Sequence, residues 1–337
     1  MNEHSMLQPP PSADLPPGRH ELHKRHLMAL IDDAPGTAPA RARRPFLLRP
    51  VFALPALVLI VAAAVGVAVT RTGDGSHRAG PALTEPAQFA DPRAGTPRGL
   101  TELADRMALV AATRDTGGPP AGGWVYIRSK TAEVYLSGDT GTAGPAARVT
   151  NRQTWRSLDG RRGWLEQTGT GEDDGGLSLD SAEPPSLTWP SYDLLTSLPT
   201  DPDALLARIR AETRDAGRTA GTGPDTEAFE TVGDLLLESY PPAGLYPALY
   251  RVAASIPGAL VVDDSVDAAG RHGIALARVD ERDIRTELIF DKRDYTFLGE
   301  RRVRTTDADG IKAGTVTFSL AVLDRSLVGA MKQVPTR

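Results

Sequence analysis

The residues that could perform catalysis are few and poorly arranged. A serine nucleophile needs a nearby histidine as its base, and beyond residue 50 the sequence has only His77 and His272. His272 lies in Gly270-Arg271-His272-Gly273, a stretch typical of a turn. The chain has no G-x-S-x-G motif, which would place a serine at a sharp turn between strand and helix. We therefore predict no catalytic residue and no enzymatic activity.

Metal ligands are equally sparse. Acidic residues cluster at 172–180 and at 307–309, but neither cluster completes a twelve-residue calcium-binding loop. His20, His23 and His26 recur at a spacing that suits a metal site, although a solvated polar helix face explains them more simply. The chain has no cysteine, which excludes thiolate ligands and disulfides. We expect neither a metal ion nor a cofactor.

Aromatic residues are better candidates for ligand binding. Trp124, Tyr126, Trp155 and Trp164 fall in segments rich in aromatic and β-branched residues, which are typical of strands. A core position is the simpler interpretation of the tryptophans, but a sheet lined by them would suit an apolar ligand. We predict these four residues as the candidates for a ligand groove.

A hairpin is predicted around two of these tryptophans. The turn dipeptide Asp159-Gly160 separates the strand candidates Val149–Leu158 and Gly163–Gln167. The hairpin would place Trp155 beside Trp164, a cross-strand aromatic contact that stabilises a sheet. Helical patterns flank this part of the chain, and they cover residues 101–114, 202–213, 225–239 and 244–256.

The C-terminal part alternates strand candidates with short turns. The strand candidates are Ala259–Val262, Ile274–Val279, Ile284–Phe290, Tyr295–Arg304 and Thr315–Leu323. Connections this short join antiparallel neighbours and leave no room for crossover helices. For residues 100–334 the pattern therefore predicts one α+β domain with several helices and a large curved antiparallel sheet.

One segment has the length and composition of a membrane span. Residues 51–70 contain no charged side chain, and a helix of this length covers about the 30 Å hydrocarbon core of a bilayer. Arginines crowd its N-terminal side, so we predict a single transmembrane helix with a cytoplasmic N-terminus and an extracytoplasmic C-terminal domain. A cleaved signal peptide is the alternative, which a basic region of about fifty residues disfavours.

The two sides of this segment differ in charge. Residues 1–50 carry +2, from seven Lys or Arg and five acidic residues, so the remainder of a chain with net charge −5 carries −7. An acidic domain has no electrostatic reason to bind nucleic acid. Residues 71–99 are rich in glycine and proline, and we predict a flexible tether there.

The arm formed by residues 1–50 has the composition of a disordered segment, apart from a short helical pattern at about 18–33. A helix this short is marginal in water and is the kind of element that folds on a partner. We predict a cytoplasmic partner for the apolar residues of this helix. These residues are Leu22, Leu27, Leu30 and Ile31.

Six short motifs are spread along nearly the whole chain. The motifs are Leu15-Pro16-Pro17-Gly18-Arg19, Trp124-Val125-Tyr126-Ile127, Trp155-Arg156-Ser157-Leu158-Asp159-Gly160, Leu198-Pro199-Thr200-Asp201-Pro202, Ile256-Pro257-Gly258 and Arg285-Thr286-Glu287-Leu288-Ile289-Phe290-Asp291. Together they resemble an uncharacterised actinobacterial family of single-pass membrane proteins, often encoded beside extracytoplasmic-function sigma factors. This resemblance implies a sigma factor or another regulator as the partner of the arm.

The order of helices and strands is also similar, more distantly, to the half-barrel of periplasmic lipoprotein carriers and of envelope-stress regulators. That resemblance implies a lipid or lipoprotein ligand. We therefore predict a non-enzymatic, membrane-anchored extracytoplasmic protein that senses or binds an envelope component and regulates a sigma-factor system. A lipid or lipoprotein carrier without a signalling role is the first alternative. An envelope hydrolase is the second, because paired carboxylates do not show in a sequence.

Overall fold

The computed structural model describes residues 89–114, 118–119, 122–135, 146–169, 175–215, 222–308 and 310–336. The helices in these ranges are α1 (Leu100–Ala112), α2 (Tyr192–Thr196), α3 (Pro202–Asp215), α4 (Pro224–Leu237) and α5 (Tyr246–Ser255), with a 3₁₀ turn at Ala243–Leu245. The strands are β1 (Trp124–Tyr135), β2 (Ala146–Ser157), β3 (Gly163–Gly169), β4 (Gly175–Ser178), β5 (Ala259–Val266), β6 (His272–Val279), β7 (Ile284–Phe290), β8 (Phe297–Arg304) and β9 (Val316–Val328).

The nine strands form one antiparallel sheet in the order β4-β3-β2-β1-β9-β8-β7-β6-β5. Two meanders, β1–β4 and β5–β9, are therefore joined where the first strand pairs with the last. Connections of four to six residues join β5 to β6, β6 to β7 and β7 to β8, as the sequence pattern predicts, whereas eleven residues join β8 to β9. Four of the five helices, α2–α5, fall between the meanders in the chain, so the central pair β1–β9 forms only when the whole domain is in place.

One side of the sheet packs against the helices, and we call it the helix face. Alternate residues of the central strands point to this side, because successive side chains of a strand point in opposite directions. Leu288 and Phe290 of β7 and Leu320 of β9 belong to the same buried cluster as Val232 of α4 and Leu249 of α5. This cluster is the main hydrophobic core of the described chain.

The other side of the sheet, the far face, is covered at its β5–β9 end by residues 89–96, the N-terminal strap. Thr96 and Val261 exchange two backbone hydrogen bonds at 2.8 and 2.9 Å, which attaches the strap to β5. The guanidinium of Arg285 donates to the carbonyl oxygens of Pro92 and Asp91 at 2.8 and 2.9 Å. The strap thus lies on the sheet, at the end of the segment that we predicted as a tether.

A buried ion cluster lies under this strap. The Glu287 carboxylate accepts hydrogen bonds from Arg285 Nε at 2.8 Å, Arg301 Nε at 2.7 Å and Ser265 Oγ at 2.5 Å. Glu287 and Ser265 are 0% exposed, Arg285 is 1% exposed and Arg301 is 4% exposed. A buried carboxylate is tolerated only when it is paired and hydrogen-bonded, and Glu287 meets both conditions.

The predicted fold class is wrong as stated, because it begins with a membrane-spanning helix. The described chain is a large nine-stranded antiparallel sheet with few helices, and no described helix is long and apolar enough to cross a membrane. The longest helices have 14 residues, which corresponds to about 21 Å. The assignments of membrane protein, transmembrane helix and single-pass topology are corrected by the same finding. Residues 51–70 lie outside the described residues.

Several local predictions are confirmed. The Asp159-Gly160 turn joins β2 to β3, and Trp155 pairs with Trp164 across this hairpin. The helix predicted over 101–114 corresponds to α1, which begins one residue earlier, at Leu100, with Gly99 as its N-cap. Gly99 has a φ of 71°, a left-handed conformation that glycine adopts without the steric cost of a side chain.

Candidate functional site

The four aromatic residues that we predicted for a ligand groove lie together on the far face, at its β1–β3 end. Trp124, Tyr126, Trp155 and Trp164 pack with Val328 of β9 in one small cluster, the tryptophan cluster. Tyr126 is 0% exposed and Trp155 is 1% exposed. Their ring centroids are 5.3 Å apart, a distance typical of a stabilising aromatic pair.

Residues 329–333 cover this cluster. The indole N–H of Trp155 donates to the carbonyl oxygen of Gln333 at 2.7 Å. The ammonium group of Lys332 lies 3.9 Å from the centroid of a Trp164 ring, which is within the range of a cation–π contact. The tryptophan cluster therefore faces away from the helices, and the C-terminal segment occupies its surface.

The predicted partner-binding residues Leu22, Leu27, Leu30 and Ile31 lie outside the described residues.

A different group of residues forms a polar site on the helix face. Arg152 and Arg156 both belong to β2, and their even spacing places them on the same side of the strand. Arg325 of β9 lies across β1 from them: Ile127 pairs with both Arg325 and Thr154, the residue between the two β2 arginines. With Glu238, directly after α4, these three arginines form what we call the arginine crevice.

Arg156 is the most buried member, with 7% exposure. Its guanidinium carbon lies 3.8 Å from the centroid of a Trp189 ring. Nη1 donates to the Pro190 carbonyl oxygen at 3.4 Å, a long hydrogen bond. Burial lowers the pKa of Arg156 to about 10, and the charge of Arg152 lowers it further against the opposing effect of Glu238. The side chain stays charged at neutral pH, but in surroundings that solvate its charge poorly.

The other two arginines are held by the helices. Arg152 lies 3.7 Å from the Glu238 carboxylate. Arg325 donates to the Tyr246 hydroxyl at 3.3 Å and to the carbonyl oxygen of Leu236. Within the described ranges, the buried Nε atoms of Arg152 and Arg325 have no hydrogen-bond partner. Unpaired buried donors cost free energy, so this site can gain from an acceptor that the described chain does not supply.

Half-buried apolar side chains lie close to these arginines in the strand pairing or along the chain. Leu327 pairs with Val125, which on its other side pairs with Arg156. The remaining members, Leu158, Tyr192 and Tyr240, pack like Leu327 against the main core without being fully covered. Leu158 follows Arg156 by two residues and Tyr240 follows Glu238 by two residues. The site therefore combines cationic groups with an apolar rim.

The residues that we considered for catalysis or metal binding make other contacts in the structure. His272 is exposed, and its Nδ1 lies 3.0 Å from a carboxylate oxygen of Asp264. Asp180 accepts the backbone N–H of Gly163 at 2.9 Å, which ties the segment after β4 to the start of β3. Among the described residues, no three His, Asp or Glu side chains form a group that could hold a metal ion.

Sequence reasoning missed the arginine crevice. The available signal was the period of two in β2, which places Arg152, Thr154 and Arg156 on one face. This signal does not reveal which face the helices cover, because that depends on contacts with α4 and with the loop at Trp189.

No protein-family model and no curated protein matches the sequence.

Proposed function

We propose that this domain is a non-enzymatic binding domain that holds a small amphiphilic ligand in the arginine crevice. The observation that carries the proposal is a group of arginines on the apolar helix face: Arg156 is 7% exposed, and the buried Nε atoms of Arg152 and Arg325 have no hydrogen-bond partner in the described chain. Hydrophobic cores are otherwise closely packed and keep their buried polar groups paired. Buried donors that depart from the second rule fit a site that a ligand completes.

The apolar residues and the arginines of the crevice would bind different parts of a ligand. Leu158, Tyr192, Tyr240 and Leu327 offer apolar surface that water still reaches in part. Covering such surface is favourable by about 25 cal/mol for each Å² removed from water. The arginines offer donors beside that surface, which would fix the orientation of the ligand, as a few placed polar groups do in most small-molecule sites.

Binding is favoured over catalysis by the chemistry of the groups present. Arginine stays protonated at neutral pH and is a poor general acid or base. Glu238 is the one carboxylate that we assign to the crevice, and Arg152 lies beside it. The described histidine, His272, lies on β6 and pairs with Asp264 at the surface. These groups can hold a ligand but lack a base paired with a nucleophile.

A lipid or the acyl chain of a lipoprotein has the required amphiphilic character, so a lipid carrier is the second candidate. The half-buried apolar rim is the observation that favours it. The predicted signalling role and the predicted sigma-factor partner rest on the first fifty residues, which lie outside the described chain. They stay predictions, as does the extracytoplasmic location.

The proposal is tested with N-phenyl-1-naphthylamine, a neutral fluorescent probe of apolar sites. We expect saturable binding with one probe per chain. The substitution Thr154→Trp fills the crevice between Arg152 and Arg156 and should weaken binding at least about tenfold. Thr168→Trp makes the same change at an exposed position of β3 and should leave the affinity unchanged. Absence of saturable binding, or equal loss in both variants, would overturn the proposal.

A further inference from the structure

We infer that the polar group of the ligand is an anion, such as a phosphate or carboxylate, and that Arg156 and Arg152 hold it. This inference rests on the proposed function and specifies the ligand of the same site. It follows from three properties of the arginine crevice: its charge balance, its free donors and the spacing of the two arginines on β2.

The charge balance of the crevice is positive. The three arginines are accompanied by one acidic residue, Glu238, whose side chain is 33% exposed and whose carboxylate lies 3.7 Å from Arg152. The nearby Glu212 is engaged elsewhere, because it accepts from Arg208 and from the backbone N–H of Leu187. One carboxylate cannot neutralise three guanidinium groups. A bound anion would supply the missing charge.

Arg156 has donors available for that anion. A guanidinium carries five N–H donors in a planar fork that matches the two oxygens of a carboxylate or phosphate. The hydrogen bond to Pro190 at 3.4 Å uses one of them. The ring of Trp189 covers one face of the guanidinium, so the plane is fixed and its edge is left for a ligand. Arginines fixed in this way lose less conformational entropy on binding.

The spacing places Arg152 within reach of the same group. Residues four apart on a strand are about 13 Å apart at Cα, a distance that two long arginine side chains pointing to the same side can close. Arg152 and Arg325 each retain an unpaired buried Nε, but the Nη atoms of Arg325 already donate to Tyr246 and Leu236. We therefore assign the anion to the pair on β2, with Arg325 contributing charge from β9.

A matched pair of fluorescent probes tests the inference. 1-Anilinonaphthalene-8-sulfonate is N-phenyl-1-naphthylamine with one added sulfonate, so the two probes differ by a single anionic group. We expect the sulfonate probe to bind wild-type protein at least about tenfold tighter. The double substitution of Arg152→Gln and Arg156→Gln should remove this advantage, so that the ratio of the two affinities falls to about one. Arg161→Gln, at an exposed turn position, is the control.

The outcomes separate the inference from the proposed function. Equal affinity of wild-type protein for both probes overturns the inference alone, and this comparison needs no variant that could unfold. Failure of both probes to bind overturns the proposed function as well. Competition by dodecyl phosphate and dodecanoate, but not by inorganic phosphate, indicates an amphiphile with an anionic head. Competition by inorganic phosphate at the same concentration indicates a free anion as the ligand.

Discussion

The ion cluster under the N-terminal strap gives the sharpest prediction about stability. Glu287 is fully buried and accepts three hydrogen bonds of 2.5 to 2.8 Å from Arg285, Arg301 and Ser265. The substitution Glu287→Gln keeps the shape of the side chain but removes its charge. Two buried arginines would then lose the anion between them. Breaking a buried ion pair by removing one partner costs about 3–5 kcal/mol.

That loss is a large part of the total stability, because domains of this kind unfold with about 5–15 kcal/mol. The assay is urea unfolding followed by tryptophan fluorescence, with the midpoint and the slope fitted separately. We expect a lower midpoint at an unchanged slope. Glu183→Gln makes the same change at an exposed position and should shift the free energy of unfolding by at most about 0.5 kcal/mol. A loss below about 1 kcal/mol in Glu287→Gln would refute the reasoning.

Three further predictions follow from individual contacts. Trp155→Phe removes the hydrogen bond to the Gln333 carbonyl oxygen; it should cost about 0.5–1.5 kcal/mol in urea unfolding and speed hydrogen exchange in the C-terminal segment. Gly273→Ala would push a Cβ into the Phe290 carbonyl oxygen, so we expect a loss of about 1–3 kcal/mol, measured by thermal unfolding. The carboxyl of Glu281 should titrate with a pKa of about 2 in a ¹³C NMR experiment.

The direction of the pKa shift of Glu281 follows from its surroundings. Burial alone would raise its pKa, but hydrogen bonds from the Gly223 N–H and the Thr226 hydroxyl outweigh burial and lower it. The stabilisation is therefore present above the unfolded pKa of about 4.3 and is lost as the pH falls toward 2. Glu281→Gln should flatten the pH dependence of stability in that window. An NMR midpoint near 4.3 would contradict this account.

Two further substitutions serve as controls for Gly273→Ala and Trp155→Phe. Gly118→Ala introduces a Cβ with nothing within 4 Å and should leave the unfolding temperature unchanged, whereas a loss equal to that of Gly273→Ala would point to a general effect. Trp189→Phe alters an indole away from the C-terminal segment. It should not change hydrogen exchange at residues 329–333. Faster exchange there in both tryptophan variants would refute the role of the Trp155 hydrogen bond.

The parts of this fold that could be predicted are those set by short-range signals. Asp159-Gly160 predicts the β2–β3 hairpin, and hairpin geometry then places Trp155 beside Trp164. The strands β5–β9 follow from apolar segments with turns too short for crossovers. These rules use neighbours in sequence, so they needed no knowledge of the rest of the chain.

The remaining features depend on contacts between distant segments. Trp155 is covered by Gln333, 178 residues later, and Arg285 holds the strap at Asp91, 194 residues earlier. A strand pattern shows that Arg152 and Arg156 share a face but not that α4 and Trp189 lie over them. The composition of residues 51–70 led us to a fold class built on a membrane helix, which the helices of the described chain do not support.

A single NMR titration tests most directly whether ligands bind in the arginine crevice. ¹⁵N-labelled protein is titrated with 1-anilinonaphthalene-8-sulfonate while the Nε–H signals of arginine and the indole signals of tryptophan are followed. We predict saturable shifts for Arg152, Arg156 and the indole of Trp189, with the indoles of Trp155 and Trp164 unchanged. Shifts confined to Trp155 and Trp164, with the arginine signals fixed, would place the ligand on the far face and contradict the account.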